Sequence, residues 1–247
     1  MSETKQPLFD ETPGLSLKIR KIYDYMFRGF PFRTDRLDYD EYWTRVSLGY
    51  RPVSTAKQAM ITSMIDEGSS VLDIGCGDGN LLQYLVEKKK IKPFGVDVAA
   101  KAVELTRKRG IEAQVADLTQ DGFTLPQTYD YVVISEVLEH LPNPEQLMFK
   151  LKGKVNKCII ITIPNTGFIG ERMRMLFGRF PKQWVLHPSE HLRFWSVADF
   201  IYWCDQLGFK VVSYRGMLDE FYDIKIKVWK FWPRLFARYV LYKIAER

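Results

Sequence analysis

Cysteine and histidine are scarce in this chain, with three of each in 247 residues. Cys76, Cys158 and Cys204 are scattered and form no C-x-x-C pair. That excludes a disulfide framework and a zinc ribbon, and it reads as the reduced thiols of a cytoplasmic protein. With so few histidines and no visible ligand cluster, no metal site is expected. Long apolar runs are missing as well, and nothing approaches the ~18 residues of a membrane-spanning helix. The longest run, residues 158–163, is strand-sized and interrupted by Thr162. The start, MSETKQPLFDE, is polar and acidic, without the cationic and apolar pattern of a leader. No internal repeat and no basic-aromatic recognition module is visible, so nucleic acid is not expected as a partner.

What is present begins with charge. The net charge of +6 is moderate. It fits a solvated basic surface, an anionic ligand such as a phosphorylated or nucleotide-linked molecule, or a membrane surface. The length suits one decorated domain, with enough apolar residues for a substantial core.

The densest signal is VLDIGCGDGN, residues 71–80. An apolar strand runs into Gly75, Gly77 and Gly79, and a helix over 80–89 follows. Glycine lets backbone approach a ligand closely and tolerates positive φ. The helix start offers unpaired N–H groups that favour an anion. A dinucleotide site wants G-x-G-x-x-G, but its third position here is Asn80. That disfavours a nicotinamide oxidoreductase. Taken alone, the motif is also compatible with a plain strand-to-helix turn.

From residue 70 onward, strand and helix patterns alternate, which indicates a parallel α/β sheet. Strands are predicted over 70–75, 93–98, 113–118, 129–135, 157–163, 209–215 and 238–245. Helices are predicted over 80–89, 99–109, 144–152 and 196–207. The last of these opens with Ser196 as N-cap and Asp199 three residues on, a capping-box arrangement. Residues 1–54 read as a tail followed by an aromatic-rich helical cap, and 55–247 as the main domain. Two insertions interrupt it, at 165–195 and 218–236.

These motifs, in this order, resemble the class I S-adenosylmethionine-dependent methyltransferases over residues 55–247. The resemblance implies a Rossmann-like seven-stranded sheet with helices on both faces, an N-terminal helical cap and an insertion after the fifth strand. It implies S-adenosyl-L-methionine as cofactor and S-adenosyl-L-homocysteine as product. Asp73, Gly75, Cys76, Gly77, Gly79 and Asn80 would form the methionine-side cradle. Asp97, followed by Val98, would accept the ribose hydroxyls, although an aspartate there also caps loops. Asp117 would take the adenine amino group and the Leu118 N–H a ring nitrogen, although an aspartate there also starts turns. Ser135 and Glu136 would lie beside the methionine part. Ser135-Glu136-Val137 stands where DNA amino-methyltransferases carry a proline-proline-aromatic motif, which argues against base methylation.

The run from IPN through Phe168, Arg172, Arg174, Leu176, Gly178 and Arg179, then PSEHLRFWSVADFIYWCDQLGF, is similar to the MetW-like subgroup. That subgroup is linked to methionine biosynthesis and to homoserine acyltransferase. Relatives of this architecture also modify cell-surface glycans. The long N-terminal cap and the aromatic C-terminal segment depart from MetW and favour a self-sufficient enzyme. The expected reaction is O-methylation of a small anionic or nucleotide-linked precursor of a surface glycan such as capsule. A non-catalytic partner of a homoserine acyltransferase is the alternative. His191 is the leading candidate base, since imidazole titrates near neutrality. A backbone-bonded loop histidine is the rival reading. Glu139 and His140, one turn past Glu136, are open to nomination as a base too, with loop capping or a bond to each other as the rival reading, and His187 is weaker. Arg172, Arg174 and Arg179 suit an anionic acceptor or a solvated helix face, and Tyr42 of the cap joins them as an acceptor contact. KIKVWKFWPRLFARYVLYK, near the C-terminus, reads as a membrane-surface segment or as structure packed on the sheet edge. Pro233 argues against one long helix there.

Overall fold

The computed structural model describes residues 23–27, 38–47, 55–117, 120, 124–125, 127–183, 191–218 and 227–247. Leu118 and His187 therefore lie outside the described residues, as does most of the 1–54 tail and cap.

Two helices precede the sheet, α1 (Tyr39–Ser47) and α2 (Thr55–Thr62), along with a helical stretch at 23–27. Then come β1 (Ser70–Ile74), α3 (Asn80–Lys89), β2 (Lys92–Asp97), α4 (Ala100–Lys108), β3 (Ala113–Val115) and β4 (Tyr129–Ser135). A 3₁₀ turn (Leu138–His140) leads to α5 (Pro144–Leu151), β5 (Val155–Pro164) and α6 (Ile169–Leu176). The chain ends with α7 (Val197–Gln206), β6 (Phe209–Met217), α8 (Val228–Phe231), α9 (Pro233–Phe236) and β7 (Tyr239–Glu246). The seven strands form one sheet in the order β3-β2-β1-β4-β5-β7-β6. β1 to β5 pair in parallel, and β7 runs antiparallel to both β5 and β6.

The central strands are apolar on both faces because helices cover both. Side chains alternate, so neighbours in sequence enter opposite cores. Leu72, Ile74, Val132, Ile134, Ile159 and Ile161 pack with Leu147 and Met148 of α5 and Phe200 of α7. Val71, Tyr131, Val133 and Ile160 pack on the other face with Ile61 of α2 and Leu82 and Leu85 of α3. α7 carries the full capping box, with Ser196 Oγ accepting from the Asp199 amide and Asp199 accepting from the Ser196 amide. Ser196→Ala is expected to cost about 1 kcal/mol, read as a lower urea midpoint with an unchanged m-value.

Two sequence expectations need correction. β3 stops at Val115 rather than reaching residue 118. It is the edge strand and pairs only with β2, and that pairing ends at Asp97↔Val115, where the chain of β2 turns away. The insertion after β5 holds a helix, α6, and its arginines do not share a solvated face. Arg172 is exposed while Arg174 is fully buried. The C-terminal insertion breaks at Pro233 into α8 and α9. Among the described residues, no helix is long and apolar enough to cross a membrane.

Candidate active site

The order of strands reverses between β1 and β4, and ligands of open α/β sheets bind at the carboxyl ends beside such a point. The glycine turn lies there. Gly75, Gly77 and Gly79 have φ of 76, 57 and 73°, conformations that L side chains avoid. Their surroundings are also full. A Cβ on Gly75 would come 2.4 Å from Val137 Cγ2, and one on Gly77 would come 2.3 Å from the Trp43 ring of α1. The turn is thus held between α1, α4 and the β4 exit. Asn80 accepts a 2.6 Å hydrogen bond from Gln58 Nε2, which ties the start of α3 to α2.

Three carboxylates lie in or just past β1, β2 and β3. Asp97 ends β2, and its Oδ2 accepts from the Gly77 N–H and its Oδ1 from the Ala99 N–H, each at 2.9 Å. Burial raises its pKa, and these amides pull it back only partly. Asp73 is almost wholly buried in β1, and its Oδ1 accepts no hydrogen bond among the described residues. Burial, and then the nearby Asp97 charge, push its pKa up to about 8. The Cys76 thiol is driven upward by burial and by both aspartates, so it stays protonated and is no nucleophile. Asp117 is half-buried past the end of β3, where its carboxylate accepts from Gln120 Nε2 at 3.3 Å. Val98, next to Asp97, is half exposed.

The residues fit the cofactor implied by the resemblance. The buried Asp73 carboxyl, with no donor to its Oδ1 among the described residues, suits an ammonium group that would draw it into the ionised form. Asp97 is oriented by two backbone amides and retains lone pairs for hydroxyls. The α3 N-terminus and the crowded glycine backbone suit close approach by a polar chain.

At the β4 exit, Glu136 holds a left-handed conformation, φ 57°, that is unusual for a residue with a side chain. Its Oε1 accepts from Thr162 Oγ1 at 2.8 Å and lies 3.7 Å from Lys57 Nζ. Ser135 and Thr162 hydroxyls are 2.9 Å apart, and since the Thr162 proton serves Glu136, Ser135 is the donor to Thr162. This chain of bonds locks β4 to β5 at the sheet's carboxyl edge.

One turn further on, Glu139 has a side chain only 1% exposed. Neither of its oxygens accepts a hydrogen bond among the described residues. Burial holds its carboxyl well above the usual range, with the Glu136 charge adding to the effect. The Glu139 carbonyl accepts from the Leu192 and Arg193 amides at 2.7 and 3.1 Å. That clamp delivers His191, itself buried, to the His140 ring, with centroids 4.7 Å apart and edge to face. Glu139, His140 and His191 present ligand atoms all within 4.8 Å of one another. The expectation of no ligand cluster is therefore corrected. Residues far apart in sequence meet here through backbone bonds that composition cannot reveal. Glu139, one turn after Glu136 and beside His140, is open to nomination as a base from the sequence, but only the fold shows it buried next to His191.

The remaining predicted residues are spread out. Tyr42 is half-buried on α1 and meets Trp43 edge to face at 5.2 Å. Arg172 Nε donates to the Gly167 carbonyl at 2.7 Å, and Arg179 is exposed past the end of α6. Arg174 Nε donates to the Phe180 carbonyl at 3.0 Å, and its guanidinium lies over the Tyr25 ring. The neighbouring Glu171 is raised by burial and lowered by the Tyr25 hydroxyl, the Lys182 amide, Arg238 and Arg174.

Comparison with known proteins agrees with this fold. The magnesium protoporphyrin IX methyltransferase of Synechocystis superposes with TM-score 0.57 at 16% identity, covering 93% of each chain. A methyltransferase from Thiobacillus denitrificans gives TM-score 0.56 at 13% identity, covering 87% of this chain and 100% of that one. The sheet is that of the Rossmann-like class I methyltransferases. In sequence, a bifunctional methionine biosynthesis protein MetXA/MetW of Rhodopirellula baltica is 30% identical over 56% of this chain. This chain spans only 25% of that protein. A ubiquinone biosynthesis O-methyltransferase of Azoarcus is 26% identical over 61% of this chain and 68% of its own length. The model of the methionine biosynthesis protein MetW matches residues 55–244, and the chain belongs to that family.

Proposed function

We propose that this protein is an S-adenosylmethionine-dependent methyltransferase that methylates an oxygen of a small anionic acceptor. The observation that carries the reading is Asp97, buried at the carboxyl end of β2 and held by the amides of Gly77 and Ala99. It links the glycine turn to the strand edge where a ribose would lie. The cofactor supplies an electrophilic methyl group on sulfur. The chain has to bind it, orient the acceptor and exclude water. Asp73 would face the ammonium, Asp97 the ribose and Asp117 the adenine, with Ser135 and Glu136 bordering the methionine side. Trp43 closes the turn from α1. A hydroxyl acceptor must lose its proton, and the Glu139–His140–His191 cluster is the part of this edge equipped to remove it, with His191 as base.

Oxygen as the acceptor atom is supported by the Azoarcus O-methyltransferase relative. An anionic acceptor is supported by the basic net charge and by exposed Arg172 and Arg179 in the insertion after β5. We place the substrate among phosphorylated or nucleotide-linked precursors of surface glycans, which are made in the cytoplasm. Isothermal titration with S-adenosylhomocysteine tests the reading. Saturable binding is expected, weakened about tenfold or more by Asp97→Ala and by Asp117→Ala. No heat from the folded wild-type chain would overturn it.

The second reading is a partner protein for a homoserine acyltransferase. It is favoured by the Rhodopirellula protein, whose name joins MetXA and MetW in one polypeptide. Stoichiometric co-purification with an acyltransferase, without methyl transfer to any acceptor, would establish it instead.

A further inference from the structure

We propose that Glu139, His140 and His191 bind a divalent transition-metal ion at the carboxyl edge of β4. The donor set comes first. Two imidazoles and one carboxylate are the ligands that first-row ions share, and three protein ligands leave coordination positions open. Their ligand atoms already lie within 4.8 Å of one another. Ligands bound at about 2.0–2.2 Å sit roughly 3–3.5 Å apart, so side-chain adjustments of about 1 Å close the set around an ion.

The second observation is Glu139 itself. A buried carboxyl group that finds no hydrogen-bond partner on either oxygen among the described residues is costly. The fold nevertheless holds it in place, because its carbonyl is clamped by the Leu192 and Arg193 amides. His140 Nε2 stands 3.9 Å from Glu139 Oε1, too far for a hydrogen bond. A cation between them satisfies the carboxylate. The charges around the cluster suit one too. Glu136 places a second carboxylate three residues away, and its Oε1 lies 3.7 Å from Lys57 Nζ. The His140 side chain is 22% exposed, which provides an entry path.

What the ion does rests on the methyltransferase reading above. In an open position it would take the acceptor hydroxyl and lower its pKa. The hydroxyl proton leaves to water. The new O–CH₃ bond forms as the S–CH₃ bond breaks, and that electron pair stays on sulfur. With the ion in place His140 and His191 act as ligands, and the acidity the ion gives the hydroxyl replaces the base role assigned to His191 above.

The test uses the full chain, stripped with chelator and titrated with Mn²⁺, Co²⁺ and Zn²⁺ separately, with S-adenosylhomocysteine titrated in parallel. One ion per chain is expected. Glu139→Gln and His191→Ala should each weaken it at least about tenfold, with S-adenosylhomocysteine affinity changed less than about threefold. His140→Ala, at the partly exposed ligand, repeats the test if a buried variant fails to fold. Cobalt adds a signature, visible d–d bands that the variants lose. Absence of binding by all three ions at millimolar concentration overturns the site, as does binding that the variants leave unchanged. Metal binding without S-adenosylhomocysteine binding would overturn the methyltransferase reading and keep the site. The reverse result would remove only the site.

Discussion

Raising the pH from about 5 to about 8 is expected to strip stability from the cofactor-free protein, with Asp73 alone contributing about 1.4 kcal/mol per pH unit. Its carboxyl titrates near 8 in the fold, against 3.8 in an unperturbed chain. The cause is burial first and the Asp97 charge second. Below the unfolded pKa both states hold the proton and the contribution is whole. Between the two values the unfolded chain releases its proton while the folded chain keeps it. Stability therefore falls as pH rises and levels off above the folded pKa, for a total of about 6 kcal/mol. Asp97, Glu139 and Glu171 are also raised and add slope of the same sign. The difference between wild type and Asp73→Asn isolates Asp73. Urea unfolding at several pH values should show the variant overtaking the wild type above neutrality. Parallel profiles would contradict the prediction. Saturating S-adenosylhomocysteine should flatten the wild-type slope, because its ammonium gives the ionised Asp73 a partner. Asp73→Asn should lose that flattening and bind the ligand about tenfold more weakly at pH 8.

Gly79→Ala is expected to cost about 2–4 kcal/mol, whereas Gly68→Ala should cost only about 1 kcal/mol. Both glycines have positive φ, 73 and 74°, so both alanines carry backbone strain. They differ in space. A Cβ on Gly79 would meet Thr106 Oγ1 at 2.9 Å and the Thr106 Cα at 3.1 Å. The Cα cannot swing aside, and Thr106 Oγ1 already donates to the Gly77 carbonyl. Among the described residues, nothing lies within 4 Å of the corresponding point at Gly68. Unfolding midpoints of the two variants should therefore separate clearly, and S-adenosylhomocysteine affinity should fall in Gly79→Ala alone. Equal losses would mean that conformation, not crowding, explains the glycine at 79.

The sheet was legible because buried parallel strands read as apolar runs. SVLDI and YDYVVIS announce themselves without a structure. β3 was read too long because edge pairing stops when the neighbouring chain turns, and a run of residues does not record what its neighbour does. The carboxylates at the strand ends were legible for the same reason as the strands. Asp97 and Asp117 follow apolar segments, and the ends of parallel strands share one edge. Arg174 was not legible. Its spacing matches a solvated helix face, but its burial depends on Glu171, Tyr25 and the Phe180 carbonyl gathering around it.

By itself, the sequence determined the alternating α/β architecture, the glycine turn after β1 and the acids that follow the strands. Periodicity and backbone sterics are local properties, so they survive in one dimension. Only the tertiary structure decided which side chains share a site. It placed Trp43 against Gly77, left Asp73 buried with no donor to its Oδ1 among the described residues, and brought His191 to Glu139 and His140 through two backbone bonds. Those outcomes depend on long-range packing and desolvation, which come into being only when distant segments close on one another.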